Sequence, residues 1–254
     1  MMRCFGLPIV IVGLSAAAGV AAAPKGYLSP GAIDILTILP PAPQPGDARY
    51  EADRAIFRHT RSLVGTPRYD MATGDAVEGP AALMADFSCS VGVTLTPQNA
   101  PKTAALVAKA GVDTAYQTNL AKQFYNRKRP FLIDNGQVCQ ARPTSYDYPS
   151  GHTTRGWTWA LILSDLLPTR ASRILARGRA YGDSRFICGV HNESAVEAGR
   201  LSATVAMQSV RQTPEYQADA SSARAELQAL IDRPGNPKPG DCDREAQLVA
   251  QRVL

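Results

Sequence analysis

An all-α fold is predicted by three features of the sequence. No stretch sustains the apolar–polar alternation that a half-buried strand requires. Apolar residues recur instead at three- and four-residue spacing, in blocks long enough for helices. Clusters of Pro, Gly and Asn, which end helices and open turns, separate those blocks. The chain has 254 residues, of which 45% are hydrophobic and 19% charged. That length and composition suit one domain with a substantial core and exclude a disordered chain. A formal net charge of +5 permits an anionic partner without specifying one.

Residues 24–48 carry Pro24, Gly26, Pro30, Gly31, Pro40, Pro41, Pro43, Pro45 and Gly46 around a short apolar piece, Ile33 to Leu39. They read as an extended arm with one helical turn, too apolar for a free linker. Residues 47–64 have helical spacing, with Ala52, Ile56 and Phe57 on one side and Leu63 further on. Residues 65–75 read as a turn-rich connection, and residues 76–91 as helical despite Gly79 and Pro80. Asn99 and Pro101 mark a helix start. The segment that follows reads as two helices separated near Gly111, the second stopped by Pro130. Residues 131–150 form a loop, and a helix begins at Gly151–His152. Further helices are expected over residues 168–182, 191–212 and 215–232, and a last short one after Cys242.

Residues 1–23, MMRCFGLPIVIVGLSAAAGVAAA, combine Arg3, an apolar run from Phe5 to about Val12 and a small-residue end. This is the pattern of a secretory signal peptide. The competing reading, a membrane anchor, is opposed by the shortness of the run and its interruption by Gly and Ser. Residues 24–254 would then be a single domain in the periplasm or outside the cell. Cleavage removes Cys4 and leaves Cys89, Cys139, Cys188 and Cys242. In an exported chain these suggest two disulfides with three possible pairings, against the alternative of buried thiols. There is no CxxC pair, and Cys188 with His191 does not make a zinc site. No metal or cofactor is expected.

Three segments concentrate chemistry. In Lys122…Arg129-Pro130 the two cations are seven apart, close to two helical turns, and would share a face. Arg127 and Lys128 add charge alongside, and a solvated basic helix end explains the cluster equally. In Pro149-Ser150-Gly151-His152, a helix start offers free amides to an anion, with His152 in the first turn. Ordinary packing of that histidine is the alternative. In Ser184-Arg185…His191, the arginine fork suits phosphate oxygens and a second imidazole lies nearby. The remaining histidine, His59, sits in a charged helix and reads as structural or exposed. Together the segments fit phosphoryl transfer through a covalent histidine: one imidazole attacks phosphorus, the other protonates the leaving oxygen, and the cations and amides stabilise the transition state.

In order and spacing, these residues resemble the signature of the PAP2 acid phosphatase superfamily: Lys122-x6-Arg129-Pro130, Pro149-Ser150-Gly151-His152 and Ser184-Arg185-x5-His191. The surroundings, YLSPGAIDILTILPPAP, DYPSGHTTRGW and GDSRFICGVH, are similar to the secreted bacterial class A non-specific acid phosphatases. The resemblance spans essentially the whole mature chain. It implies a compact helical bundle of the acid phosphatase and vanadium haloperoxidase type, with the site at helix ends. It implies His191 as nucleophile, His152 as general acid, and Lys122, Arg129, Ser150, Gly151 and Arg185 as the phosphate cradle. Small phosphate monoesters would be substrates at acidic pH, with transfer to alcohols or nucleosides in some members. Phosphate or vanadate would be site ligands, and a homodimer is consistent with the family.

The signature also expects an aspartate four residues after the nucleophile, to orient the imidazole and support its positive charge. This chain has Ala195 there. Ser194 and Glu197 are the nearby candidates for the orienting group, with a backbone carbonyl or water as alternatives. Loss of an orienter would slow the chemical step by about 10²–10⁴-fold. A phosphate- or phosphoester-binding protein with impaired catalysis is therefore the rival expectation, with a haloperoxidase-like enzyme behind it. Nucleic-acid binding is disfavoured because the basic residues are scattered and not interleaved with aromatics. No later segment has the apolar length to hold the mature chain in a membrane.

Overall fold

A computed structural model describes Met1, Met2 and residues 25–254. The rest of the expected signal segment, and the cleavage point within it, lie outside the described residues. Among the described residues there are ten α-helices and no strand. No helix among them is long and apolar enough to cross a membrane.

One carboxylate holds the backbone at the start of the arm. Asp113 accepts the backbone N–H of Tyr27 at 2.7 Å and of Leu28 at 3.1 Å. Its single helical turn, α1, is Ile35–Ile38. Helix α2, Ala48–Thr60, runs into a 3-10 turn at Arg61–Leu63. Its inner face is not the apolar stripe expected: Ala52 is exposed, while Asp53 and Arg54 are buried beside Phe57 and Thr60. The expected connection at 65–75 contains helix α3, Pro67–Gly74. Thr66 caps it and Pro67 takes the first turn, where a missing N–H costs nothing. Helix α4 is Pro80–Val91.

Helix α5, Pro101–Tyr125, is continuous through Gly111, which corrects the expected pair of helices. A glycine inside a helix costs only about 1 kcal/mol relative to alanine. Burial of Leu106, Val107 and Ala110 on the same helix outweighs that. Its first-turn amides are capped from a distance: Glu226 accepts the N–H of Lys102 and of Thr103, each at 2.9 Å. The helix stops before Pro130, because Asn126 takes a left-handed conformation (φ 50°) and its N–H donates to the Lys122 carbonyl.

Helix α6, Gly151–Leu166, lies at the centre. Around it pack α5, α7 (Ala171–Ile187), α8 (Glu193–Val210) and α9 (Pro214–Asp232). Phe87 and Trp159 stack in the core among Leu106, Ile162, Leu163, Met207 and Leu227. At the other end of the molecule, Gly199 of α8 runs against the start of α6. A Cβ there would lie 2.7 Å from the Ser150 carbonyl, so α8 approaches this closely only with glycine. The last helix is α10, Cys242–Ala250.

The cysteines pair as Cys89–Cys242 and Cys139–Cys188. The first ties α4 to α10. The second ties the loop before α6 to the end of α7, three residues ahead of His191. Removing the second by a double Cys→Ser substitution is expected to lower stability by about 2–4 kcal/mol. Activity should fall further than unfolding explains, because the freed loop carries Ser145 and Asp147. Removing Cys89–Cys242 should lower the melting temperature with a smaller effect on kcat. Equal kcat losses in the two variants would contradict this division.

Candidate active site

The site forms where three chain segments meet: the end of α5 with the residues after it, the start of α6, and the turn from α7 to α8. The left-handed Asn126 sends Arg127 to Arg129 away from the helix axis. Lys122 and Arg129 therefore do not share a helical face, as their spacing suggested. The basic cluster is not a solvated helix end either, since Lys122, Arg127 and Arg129 are buried and only Lys128 is exposed. The turn from α7 to α8 passes through Gly189 at φ +81°, which L side chains rarely adopt. The guanidinium of Arg61 lies against this glycine and donates to the carbonyls of Phe186 and Ile187, capping α7 from outside.

His191 is buried, 3% exposed. Its Nε2 lies 3.0 Å from a guanidinium nitrogen of Arg129. Arginine only donates, so Nε2 accepts and its proton is on Nδ1. Nδ1–H then donates to Asp147 Oδ1 at 2.9 Å. This tautomer presents an Nε2 lone pair. Burial, and then the positive charges of Arg129, Lys122, Arg185 and His152, push the imidazole well below its ordinary value. It therefore stays neutral into the acidic range.

The cations have distinct partners. Arg129 donates to the Ser145 carbonyl at 2.6 Å, the Ser145 hydroxyl at 2.9 Å and the Val190 carbonyl at 2.6 Å. Lys122 donates to the Tyr146 carbonyl. Burial, with Arg129 next in effect, pushes its ammonium down to about 7. Arg185 is 2% exposed and donates to Gln140 at 2.7 Å. Its Nε and one terminal nitrogen are buried without a protein acceptor. Such donors are costly to leave unmatched, and a multi-oxygen anion matches them. Ser150 is the N-cap of α6, its hydroxyl accepting the Thr153 N–H at 3.3 Å. The Lys122 side chain lies against Gly151. The first-turn amides of Gly151 and His152 have no intrahelical acceptor. Among the described residues no group of three His, Cys, Asp or Glu is arranged to hold a metal ion.

His152 is stacked on Tyr181 with ring centroids 5.1 Å apart. Its Nε2 lies 2.6 Å from the Asp75 carbonyl and 2.7 Å from the Tyr181 hydroxyl, and its Nδ1 lies 3.2 Å from Glu78. A carbonyl and a carboxylate both favour the protonated ring. Burial, and then Arg185, act against it and win, so the imidazole sits below its ordinary value. The hydrogen bond to His152 holds the Glu78 carboxyl down to about 2. Glu78 stands at the mouth of a cleft of about 830 Å³ that runs from Gly151 between α4, α5 and α6. Leu83, Val107, Tyr116 and Trp159 line it. Of the other aromatics near the motifs, Tyr125 packs edge-on against Tyr148, and Phe131 packs in the small cluster that contains Cys188. His59 is exposed on α2.

The two orienting candidates, Ser194 and Glu197, make no hydrogen bond to His191. Ser194 Oγ donates to Asp53 at 2.6 Å and accepts from Arg127 at 2.7 Å. Glu197 lies outward and pairs with Arg200. Both are engaged elsewhere because the first turn of α8 turns them away from the ring. Sequence reasoning did not single out Asp147, Glu78 or Tyr181. Asp147 had one signal: it is a carboxylate two residues ahead of Pro149-Ser150-Gly151-His152, in a chain that lacks the carboxylate at 195.

Residues 102–218 match the model of the PAP2 superfamily. That span contains Lys122, Arg129, Arg185, His152 and His191. An acid phosphatase of Zymomonas mobilis subsp. mobilis is 36% identical over 201 residues, covering 77% of this chain and 76% of the relative. A non-specific acid phosphatase of Providencia stuartii is 35% identical over 205 residues, 78% of this chain and 83% of the relative. Another from Salmonella typhimurium is 31% identical over 244 residues, 92% of this chain and 96% of the relative.

Proposed function

Because the chain belongs to the PAP2 superfamily and, within it, to the bacterial non-specific acid phosphatases, we propose that it hydrolyses phosphate monoesters at acidic pH through a phosphohistidine on His191, without a metal ion. The observation that carries this reading is the state of His191: an Nε2 lone pair in the field of Arg129, Lys122 and Arg185, with Nδ1–H on a carboxylate.

In the first step Nε2 attacks phosphorus, the P–N bond forms and the bond to the ester oxygen breaks. His152 gives its proton to that oxygen, and the alcohol leaves. The His191 ring becomes cationic, with Nδ1–H still on Asp147. Lys122, Arg129, Arg185 and the first-turn amides of α6 hold the three equatorial oxygens, which is where the transition state spreads its charge. In the second step neutral His152 takes a proton from water as the water oxygen attacks phosphorus. The P–N bond breaks and phosphate is released. An alcohol or nucleoside in place of water would receive the phosphoryl group. The buried cations supply the neutralisation that a metal ion supplies elsewhere.

Position 195 gives no reason for a slowed chemical step, because the distal ring nitrogen already faces a carboxylate. The cleft beyond Gly151 offers room for the leaving group. Two disulfides and the signal pattern of residues 1–23 support export to the periplasm or beyond.

The test is hydrolysis of p-nitrophenyl phosphate by pure protein in excess chelator, across acidic to mildly alkaline pH. Turnover in the acidic range is expected, and activity that disappears with chelator would overturn the metal-free reading. The profile has a further expected feature. His152 must be protonated to act as acid, so kcat/KM falls as pH rises through its lowered value. Glu78 raises that value. Glu78→Gln is therefore expected to move the alkaline limb to lower pH. A limb that stays in place would take Glu78 out of the reaction.

A further inference from the structure

We propose that Asp147 is the positioning residue of His191, having taken over in this chain the task that the family's signature gives to an aspartate at position 195. This rests on the reading of His191 as nucleophile and names the group that makes that nucleophile competent.

The carboxylate has moved from a helix to a loop without leaving the imidazole. Asp147 is fully buried, and its side chain is held from several directions. Oδ1 accepts His191 Nδ1–H at 2.9 Å and the Asn192 backbone N–H at 3.1 Å. Oδ2 accepts Asn192 Nδ2–H at 2.7 Å and lies 3.4 Å from Arg127. Burial pushes the Asp147 carboxyl up, but every neighbour is a donor or a cation, so an acid proton would find no acceptor and the geometry favours the carboxylate. A further layer fixes those neighbours. Arg127 is paired with Asp53 at 2.7 Å, Asp53 also accepts the Ser194 N–H at 2.9 Å, and Arg54 donates to the Asn192 side-chain carbonyl.

The backbone explains why the exchange is possible. Asp147 N–H donates to the Arg127 carbonyl at 2.9 Å, and Ser150 N–H donates to the Ala195 carbonyl at 2.8 Å. The loop and the first turn of α8 are thus laced together beside one imidazole. Ala195 is fully buried, in an apolar cluster with Ala121, Tyr148 and Ala198. A carboxylate at both positions would set two like charges near one ring in a dry site, which opposes ionisation of both. The two positions are alternatives.

Asp147→Asn puts an amide N–H₂ among donors. Facing Arg127, it meets a cation. Facing Nδ1, it drives the imidazole to the other tautomer and removes the Nε2 lone pair. We expect kcat to fall about 10²–10⁴-fold in Asp147→Asn and Asp147→Ala, the scale of orienter loss in a catalytic triad. Competitive inhibition by sulfate should change little, because sulfate sits on the cations. The discriminating variant is the double substitution Asp147→Ala with Ala195→Asp, which should recover at least about tenfold of the lost kcat. A merely structural aspartate would not be rescued by a carboxylate placed at position 195. Asp147→Asn at near wild-type kcat would overturn the inference. So would a folded double variant no faster than Asp147→Ala. Wild-type protein that fails to turn over, or activity that survives His191→Ala, would instead refute the proposed function.

Discussion

His191→Ala is expected to lower kcat by about 10³-fold or more, because every step of the reaction passes through its Nε2. The substitution removes a buried neutral ring in contact with Arg129 and Asp147, so it also leaves both charges facing each other across the gap. The fold should survive, since His191 lies in the turn between α7 and α8, and Arg129 and Asp147 keep their hydrogen bonds to Ser145, Val190 and Asn192. Sulfate should still inhibit binding of a slow substrate or raise the melting temperature, because the cradle remains. Retention of more than about a tenth of the wild-type kcat would exclude His191 as nucleophile.

Arg185 carries the second large effect, and it acts in opposite directions on activity and stability. Its guanidinium is buried and pushed down to about 10 by that burial, with two nitrogens that have no protein acceptor. Those donors stabilise an anion or nothing. Arg185→Lys keeps the charge and loses the fork, and Arg185→Met loses both. We expect kcat/KM to fall about 10²–10³-fold in either variant, as for loss of one oxyanion donor. Arg185→Met should nonetheless melt at a higher temperature than wild type in phosphate-free buffer, since an uncompensated buried charge has been replaced by an apolar chain. Saturating phosphate should reverse that order, because it stabilises only the protein that binds it well. An unchanged kcat/KM, or a Met variant less stable in both buffers, would contradict the placement of Arg185 in the cradle.

The fold was legible in the sequence to the extent that it was local. Helices α6, α8 and α9 begin within about two residues of the expected positions, because Ser150-Gly151 and Thr213-Pro214 are start signals that need no tertiary help. The failures involve long-range partners. Gly111 reads as a break, but it faces the cleft, and α5 is carried through it by packing against α6 and α9 along its length. Nothing local marks Asp53 and Arg54 as buried; they are held by Ser194, Asn192 and Asp134 from elsewhere in the chain. Asn126 ends α5 in a left-handed turn, so the seven-residue spacing of Lys122 and Arg129 had the right residues and the wrong geometry. The cysteine pairing is likewise a product of the fold.

The site shows the same division. Both imidazoles and the three cations were marked by the resemblance of their motifs to the family signature; without it, a solvated helix end and a packed histidine explained two of the three segments equally. The orienter was sought along α8, within two helical turns of His191, because sequence proximity is the only distance a sequence offers. It lies 44 positions away, on a loop that hydrogen bonds to both Arg127 and Ala195. Glu78 and Tyr181 were equally invisible: each touches His152 from another helix or its approach, at separations of 74 and 29 residues.

The most direct test of covalent catalysis at His191 is to quench a turnover of radiolabelled p-nitrophenyl phosphate in alkali and locate the label on the protein. Phosphohistidine survives alkali and is lost in acid. Label is expected on the peptide bearing His191, absent after acid quench and absent from His191→Ala. Turnover at full rate with no protein-bound label at any quench time, or label on another residue, would contradict it.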